Sequence, residues 1–130
     1  MKKVIGIDIG GTNLRFGVVD HNGNLEHFEK KSSGSLVSDN AVENLKNEIL
    51  RYMDTYQLKK LVHKDTQMLD VGTGSGILGI VGLKLGAAHV VGTDLDPCAV
   101  PAVAENKEAN GIPDDAFDMM IGNIIDDKKI

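Results

Sequence analysis

The chain has 130 residues, of which 42% are hydrophobic and 25% are charged, and these proportions are ordinary for a soluble globular protein. The formal net charge of −5 gives no electrostatic reason to expect nucleic acid as a partner. A single cysteine, Cys98, excludes an intrachain disulfide and fits a reducing, cytoplasmic environment. No apolar run is long enough to span a membrane, and the histidines lack the spacing of metal ligands, so neither a membrane nor a metal is expected.

The first half of the chain predicts three strands and one helix. Residues 3–9 and 13–20 are rich in β-branched side chains and are joined by a short glycine link, which predicts a hairpin. A polar turn then leads into residues 25–31, whose weak alternation predicts an edge strand. From Val42 onward apolar residues recur at helical spacing, and this helix is expected to end near Gln57.

The second half is organised around one stretch, QMLDVGTGSGILGIVGLKLGAAHVVGTDLD. A short apolar run is followed by Asp70 and then by Gly72, Gly74 and Gly76. A helix-like segment comes next, and a second apolar run ends at Asp94. Glycines after a strand let the backbone come close to a bound group, and the N–H groups of the following helix face that group. An acid at the end of the next strand can accept two hydrogen bonds from a ribose diol. The stretch therefore predicts a site for a small, nucleotide-like ligand.

Two cofactor classes fit this layout. Gly74, Gly76 and Gly79 satisfy the G-x-G-x-x-G fingerprint with an acid about 20 residues further on, which is typical of nicotinamide dinucleotide sites. The acid directly before the glycines and the wording D-V-G-T-G-S-G instead resemble motif I of class I methyltransferases, which bind S-adenosylmethionine (SAM). A structural interpretation stays open for each element, since the glycines can serve only the turn and Asp94 can cap the helix that begins near Pro97.

Residues from about 61 to 130 resemble the SAM-binding part of PrmA-type ribosomal-protein methyltransferases. Three motifs follow each other in the order that this family uses: L-D-V-G-T-G-S-G-I-L, V-x-G-x-D-L-D-P and A-x-E-N. Residues 117–121 are predicted to form a last strand. By this resemblance the residues around SAM are Asp70, Gly72, Gly74 and Gly76 at its amino-acid end, Asp94 at the ribose hydroxyls and Leu95 beside the adenine. The family's motif that orients the amine to be methylated is expected beyond these residues, so no catalytic residue is assigned.

The beginning of the chain resembles a different family. The wording G-I-D-I-G-G-T-N is similar to the phosphate-1 loop of ROK-type sugar kinases, a branch of the actin-like ATPases, and the likeness extends over residues 1 to about 57. By this resemblance the vestigial phosphate-binding residues are Asp8, Gly10, Gly11 and Thr12, with Asp8 holding Mg²⁺ through water. The other parts of a sugar-kinase site have no counterpart in the sequence. A plain hairpin turn is therefore favoured over a site for ATP and Mg²⁺.

The two resemblances together predict one chimeric α/β domain, recombined or engineered, with a natural fusion as the alternative origin. The expected fold is a three-layer sandwich with a mixed, mostly parallel sheet of order 3-2-1-4-5-6, strand 2 antiparallel, a hybrid of ribonuclease-H-like and Rossmann-like folds. The expected function is SAM binding without a complete catalytic apparatus. The alternatives are an active SAM-dependent methyltransferase fragment and an ATP- or phosphate-binding sugar-kinase fragment. Self-association is expected through an edge strand of the sheet.

Overall fold

The computed structural model describes residues 2–36 and 39–128, and the chain divides into two compact units, residues 1–61 and 62–130. Each unit contains its own three-stranded sheet and its own helices, which confirms the mixed α/β class. That the two segments form one chimeric domain stays a prediction. No helix in the described parts of the chain combines the length and the apolar character needed to cross a bilayer.

The first unit is an antiparallel sheet with one long helix. Its strands are β1 (Lys3–Ile9), β2 (Asn13–Asp20) and β3 (Leu25–Ser32), in the spatial order β1-β2-β3. The helix α1 spans Ala41–Thr55, and a short 3₁₀ turn, Lys59–Leu61, follows it. The three strands and α1 lie where the β-branched runs and the helical periodicity predict them, and the 3₁₀ turn falls in a stretch for which the sequence gives no prediction.

Helix α1 packs on the first sheet through the apolar side chains that recur along it. Tyr52 of α1 is fully buried, and its ring stacks on that of Phe16 in β2 at a centroid distance of 4.5 Å. Its hydroxyl donates a hydrogen bond of 2.9 Å to the carbonyl of His27 in β3. One side chain thus ties the helix to two strands of the sheet.

The second unit is a parallel sheet of three strands connected by two helices. The strands are β4 (Gln67–Val71), β5 (His89–Asp94) and β6 (Phe117–Ile121), in the order β4-β5-β6. Helix α2 (Ile77–Lys84) connects the first two strands, and α3 (Ala99–Ala109) connects the last two. The element order is the β-α-β-α-β series that the sequence predicts.

The core of the second unit lies between the sheet and both helices. Its buried members are Ile80 of α2, Val90 of β5, Val103 of α3 and Phe117 of β6. Gly79 lets α2 approach the sheet, because a Cβ at this position would lie 2.5 Å from Cε2 of Phe117 and 2.9 Å from Cγ1 of Val90. This glycine therefore serves the close packing of helix on strand.

The predicted single six-stranded sheet is wrong. The orders 3-2-1 and 4-5-6 hold within each half, but the described strands form two three-stranded sheets, in which β1 pairs with β2 and β4 pairs with β5. Only the resemblance to a sugar kinase placed β4 beside β1. No pattern in the residues of either strand specifies a partner for its second edge, so the ribonuclease-H-like hybrid is not the observed topology.

The three-layer sandwich is a prediction for one sheet of six strands, and the second unit by itself shows only where α2 and α3 lie. Because α2 and α3 share one core, they lie on the same face of the sheet. Successive right-handed crossovers that advance in one direction, from β4 to β5 to β6, place their helices on one side. Leu69 and Val71 of β4 remain 52% and 56% exposed. The unit is a two-layer α/β arrangement.

Candidate cofactor site

The loop between β4 and α2 turns sharply at three glycines. Gly72, Gly74 and Gly76 have φ angles of +68°, +55° and +82°, in the left-handed region that side chains rarely adopt. A Cβ on Gly72 would meet no atom within 4 Å, whereas one on Gly76 would lie 3.2 Å from the side chain of Val103 in α3. The beginning of the loop is thus open on its outer side, and its end packs against a helix.

Asp94 ends strand β5 and faces this loop. Its Oδ2 accepts a hydrogen bond of 2.9 Å from the N–H of Gly74, and its Oδ1 accepts one of 3.0 Å from the N–H of Asp96. The backbone N–H groups of Asp96 and Gly74 lower the pKa of the Asp94 carboxyl, so the group is ionised at neutral pH. A carboxylate has about four acceptor positions, so the backbone N–H groups do not use all of the acceptor capacity of Asp94.

Asp70 lies beneath the loop. Its side chain is buried, with 5% of the residue exposed, and its Oδ2 accepts hydrogen bonds from the hydroxyl of Thr73 at 2.7 Å and from the N–H of Gly79 at 3.0 Å. Burial raises the pKa of the Asp70 carboxyl, while these two hydrogen bonds act in the opposite direction. Asp70 therefore joins the loop to the beginning of α2.

A shallow cleft of about 230 Å³ opens beside the loop. Its lining consists of Gly74, Asp94, Asp96, Cys98, Ala99 and Ala102. Pockets for whole ligands usually measure about 300–1,000 Å³, so this cleft has room for only part of a ligand of that size. The side chain of Asp96 raises the pKa of the exposed Cys98 thiol. A thiol that stays protonated is a weak nucleophile. Cys98 is therefore assigned no nucleophilic role, and it contributes only to the lining of the cleft.

The structure brings most of the predicted SAM-site residues together. Gly74 and Asp94 line the cleft, Gly72 and Gly76 shape the same loop, and Leu95 follows Asp94 with 71% of its surface exposed. Asp70 differs, because it contacts the loop from the interior and is absent from the lining of the cleft. The assignment of these residues to SAM itself stays a prediction.

Sequence reasoning missed two residues of this region. Thr73 is buried between the glycines, where its hydroxyl is bonded to Asp70. Asp96 lines the cleft, and its Oδ1 accepts a hydrogen bond of 2.9 Å from the N–H of Cys98. The signals for both residues were a threonine three positions after a strand acid and a second acid in the wording D-L-D-P.

The predicted phosphate loop forms the turn of the β1–β2 hairpin. The N–H of Gly10 donates to the carbonyl of Asn13 at 2.8 Å, and the Thr12 hydroxyl oxygen accepts a hydrogen bond of 3.2 Å from the Asn13 amide. Asp8 forms an ion pair of 2.9 Å with Arg15 on the neighbouring strand. A Cβ on Gly11 would meet no atom within 4 Å. These are the contacts of a hairpin turn, and the phosphate-site assignment stays a prediction.

Comparison with known proteins relates the second unit to one family. The profile of the family described as ribosomal protein L11 methyltransferase (PrmA) matches residues 50–129. A ribosomal protein L11 methyltransferase of Lachnospira eligens is 53% identical over 74 residues, which cover 57% of this chain and 23% of that protein. The protein of the same description from Alkaliphilus oremlandii is 49% identical over 70 residues, covering 54% and 22%. The chain thus spans about a quarter of the length of these relatives.

Among solved structures, a proposed RNA methyltransferase from Pyrococcus horikoshii is 25% identical. The two structures superpose with a TM-score of 0.50, and the matched region covers 65% of this chain and 38% of the Pyrococcus horikoshii protein. The family match begins at residue 50, inside α1, and so earlier than the predicted boundary near residue 61. These matches favour the methyltransferase-fragment alternative over the chimera, and none of them supports a sugar-kinase segment.

Proposed function

Because the chain belongs to the ribosomal protein L11 methyltransferase (PrmA) family over residues 50–129, we propose that its second unit binds SAM and the demethylated product, S-adenosylhomocysteine (SAH). The observation that carries this proposal is the setting of Asp94. This ionised carboxylate ends a parallel strand, lines the cleft and is oriented by the N–H groups of Gly74 and Asp96. Ligands of open α/β sheets bind at this carboxyl end of the strands.

The donor groups and the open space of the site fit the parts of this ligand. The acceptor capacity of Asp94 that the backbone does not use suits the vicinal hydroxyls of a ribose. The glycine loop has no side chain at Gly72 or Gly74, so the amino-acid end can approach the backbone closely. The exposed Leu95 offers apolar surface to the adenine ring. When bound, SAM supplies a methyl group on a positively charged sulfur, which the carboxylates of this cleft attract.

We extend the proposal to the reaction class of the relatives. Their descriptions state that those proteins are methyltransferases of ribosomal protein L11. The role proposed for this chain is to bind and orient the methyl donor of that reaction, and ribosomal protein L11 is the proposed acceptor. The described residues are assigned no part in orienting the acceptor amine.

Calorimetric titration with SAH tests the binding proposal. The wild-type protein is compared with Asp94→Asn, which keeps the size of the side chain but removes its charge, and with Asp115→Asn, an exposed acid of a 3₁₀ turn, as the matched control. Hydrogen bonds to a charged group contribute about 1.5–3 kcal/mol, so Asp94→Asn should weaken SAH binding about tenfold or more. The control should bind like the wild type.

Titration with NAD and with ATP and Mg²⁺ under the same conditions distinguishes the other cofactor classes. We expect no saturable heat from either ligand. Two results would contradict the proposal: a folded wild-type protein that gives no saturable heat with SAH, or equal SAH affinity of Asp94→Asn and the wild type.

A further inference from the structure

We propose that Thr73 is a positioning residue of this site. Its hydroxyl is bonded to the buried Asp70, and Thr73 thereby holds the N–H of Gly74 against the carboxylate of Asp94. The inference rests on the proposed function, because it concerns the group expected to bind the ribose. It adds to that function a residue that itself does not line the cleft.

Every polar group of Thr73 has a partner within the second unit. Its N–H donates to the carbonyl of Thr93 in β5 at 2.9 Å, and its hydroxyl donates to Oδ2 of Asp70 in β4 at 2.7 Å. Its carbonyl accepts a hydrogen bond of 2.8 Å from the N–H of Gly76. The residue is 6% exposed, so a shift would leave buried polar groups without partners. Thr73 is thus fixed to two strands and to the beginning of α2.

Asp70 is the anchor of this arrangement. The same Oδ2 that accepts the Thr73 hydroxyl also accepts the N–H of Gly79, in the first turn of α2. N–H groups in a first helical turn lack partners within the helix, and a negative charge at this end is favourable. Asp70 therefore sets the position of Thr73 relative to the helix.

The link from Thr73 to Asp94 is the peptide plane between residues 73 and 74. The carbonyl of Thr73 and the N–H of Gly74 belong to one planar peptide group, so the orientation of one fixes that of the other. The carbonyl is held by Gly76 at 2.8 Å, and the N–H then points at Oδ2 of Asp94 at 2.9 Å. If the hydroxyl of Thr73 is lost, the residue keeps its two backbone hydrogen bonds but loses its link to Asp70, and the donor that faces the Asp94 carboxylate is held less firmly.

The first test measures SAH affinity in a double-mutant cycle. Thr73→Val removes the hydroxyl at nearly constant shape and should weaken SAH binding three- to tenfold, while Thr73→Ser, which keeps the hydroxyl, should restore most of the affinity. In an Asp94→Asn background the effect of Thr73→Val should fall below twofold, because the group on which Thr73 acts is already altered. Thr55→Val removes a threonine hydroxyl from α1 and should bind like the wild type.

The second test needs no ligand. The pKa of Asp94 is measured by NMR titration of its side-chain carboxyl carbon, with Asp70 and Asp96 followed as separate resonances. Because the Gly74 N–H helps to lower the pKa of Asp94, Thr73→Val and Thr73→Ala should raise that pKa toward its ordinary value. Thr73→Ser should leave it near the wild-type value.

The outcomes separate this inference from the proposed function. Unchanged SAH affinity in Thr73→Val overturns the positioning role, as does an Asp94 pKa that stays at its wild-type value in both Thr73→Val and Thr73→Ala. Lower stability with unchanged affinity and unchanged pKa would make Thr73 a structural residue only. If the wild type does not bind SAH, the proposed function fails, and the pKa measurement still decides whether Thr73 positions Asp94.

Discussion

Replacement of Gly79 by alanine should destabilise the second unit, because a Cβ at this position would clash with the side chains of the sheet on which α2 packs. The added carbon would lie 2.5 Å from Cε2 of Phe117 and 2.9 Å from Cγ1 of Val90. Both neighbours are buried, with exposed fractions of 2% and 0%, so neither can turn into solvent. The helix itself has to move away from the sheet.

The expected size of the effect follows from two opposing contributions. Inserting a carbon into a packed core costs about 1–3 kcal/mol, and the contact with a buried ring places Gly79→Ala near the upper end of that range. Alanine regains about 1 kcal/mol over glycine through its helix propensity. The net loss in the free energy of unfolding is therefore about 2 kcal/mol.

Urea unfolding followed by far-UV circular dichroism measures this loss, and Gly82→Ala in the same helix is the matched control. A Cβ on Gly82 would meet the sulfur of Met68, the end of a flexible, partly buried side chain that can move at little cost. We expect Gly82→Ala to stay within about 0.5 kcal/mol of the wild type, since helix propensity offsets this movement. Equal stability of the two variants would refute the packing of α2 on Phe117 and Val90.

Three further predictions concern single groups. Tyr52→Phe removes the hydrogen bond to the His27 carbonyl and should lower the free energy of unfolding by about 1 kcal/mol in urea, with no loss meaning that this bond is not formed. Burial raises the pKa of Asp70 above its ordinary value of 3.8, so its contribution favours folding below that pH and is lost as the pH rises through the folded-state pKa. The stability of Asp70→Asn relative to the wild type should therefore increase as the pH rises above 3.8, and a flat difference would contradict the burial. Alkylation of Cys98 should be faster in Asp96→Asn, because the acid raises the thiol pKa, and saturating SAH should slow the wild-type reaction if the ligand occupies the cleft.

Much of the glycine loop can be predicted from the sequence, because the signals for it lie in neighbouring residues. Glycines at Gly72, Gly74 and Gly76 adopt the positive φ angles that their residue type allows, and Asp94 stands at the end of the strand that its apolar run predicts. The spacing between the glycines and this acid then brings Gly74 and Asp94 into contact. Local spacing thus predicted the elements around the loop and two of the residues that line the cleft, Gly74 and Asp94.

Other features depend on contacts that spacing alone does not reveal. The position of Asp70 directly before the glycines predicts a ligand contact. Its burial and its hydrogen bonds to Thr73 and Gly79 arise only when α2 folds over the strand, and spacing does not reveal them. The pairing of β1 with β4 fails for a related reason. The alternation of a strand specifies which side chains lie on each face, but it does not specify which strand lies along the edge.

Titration of ¹⁵N-labelled protein with SAH, followed by amide NMR, tests the cofactor assignment most directly, because it reports on both glycine loops of the chain in one experiment. We predict saturable shifts of the amides of residues 72–76 and 94–96, with the amides of residues 10–12 unchanged. Shifts centred on residues 10–12, or no saturable shift in a folded protein, would contradict the placement of the cofactor between the glycine loop and Asp94.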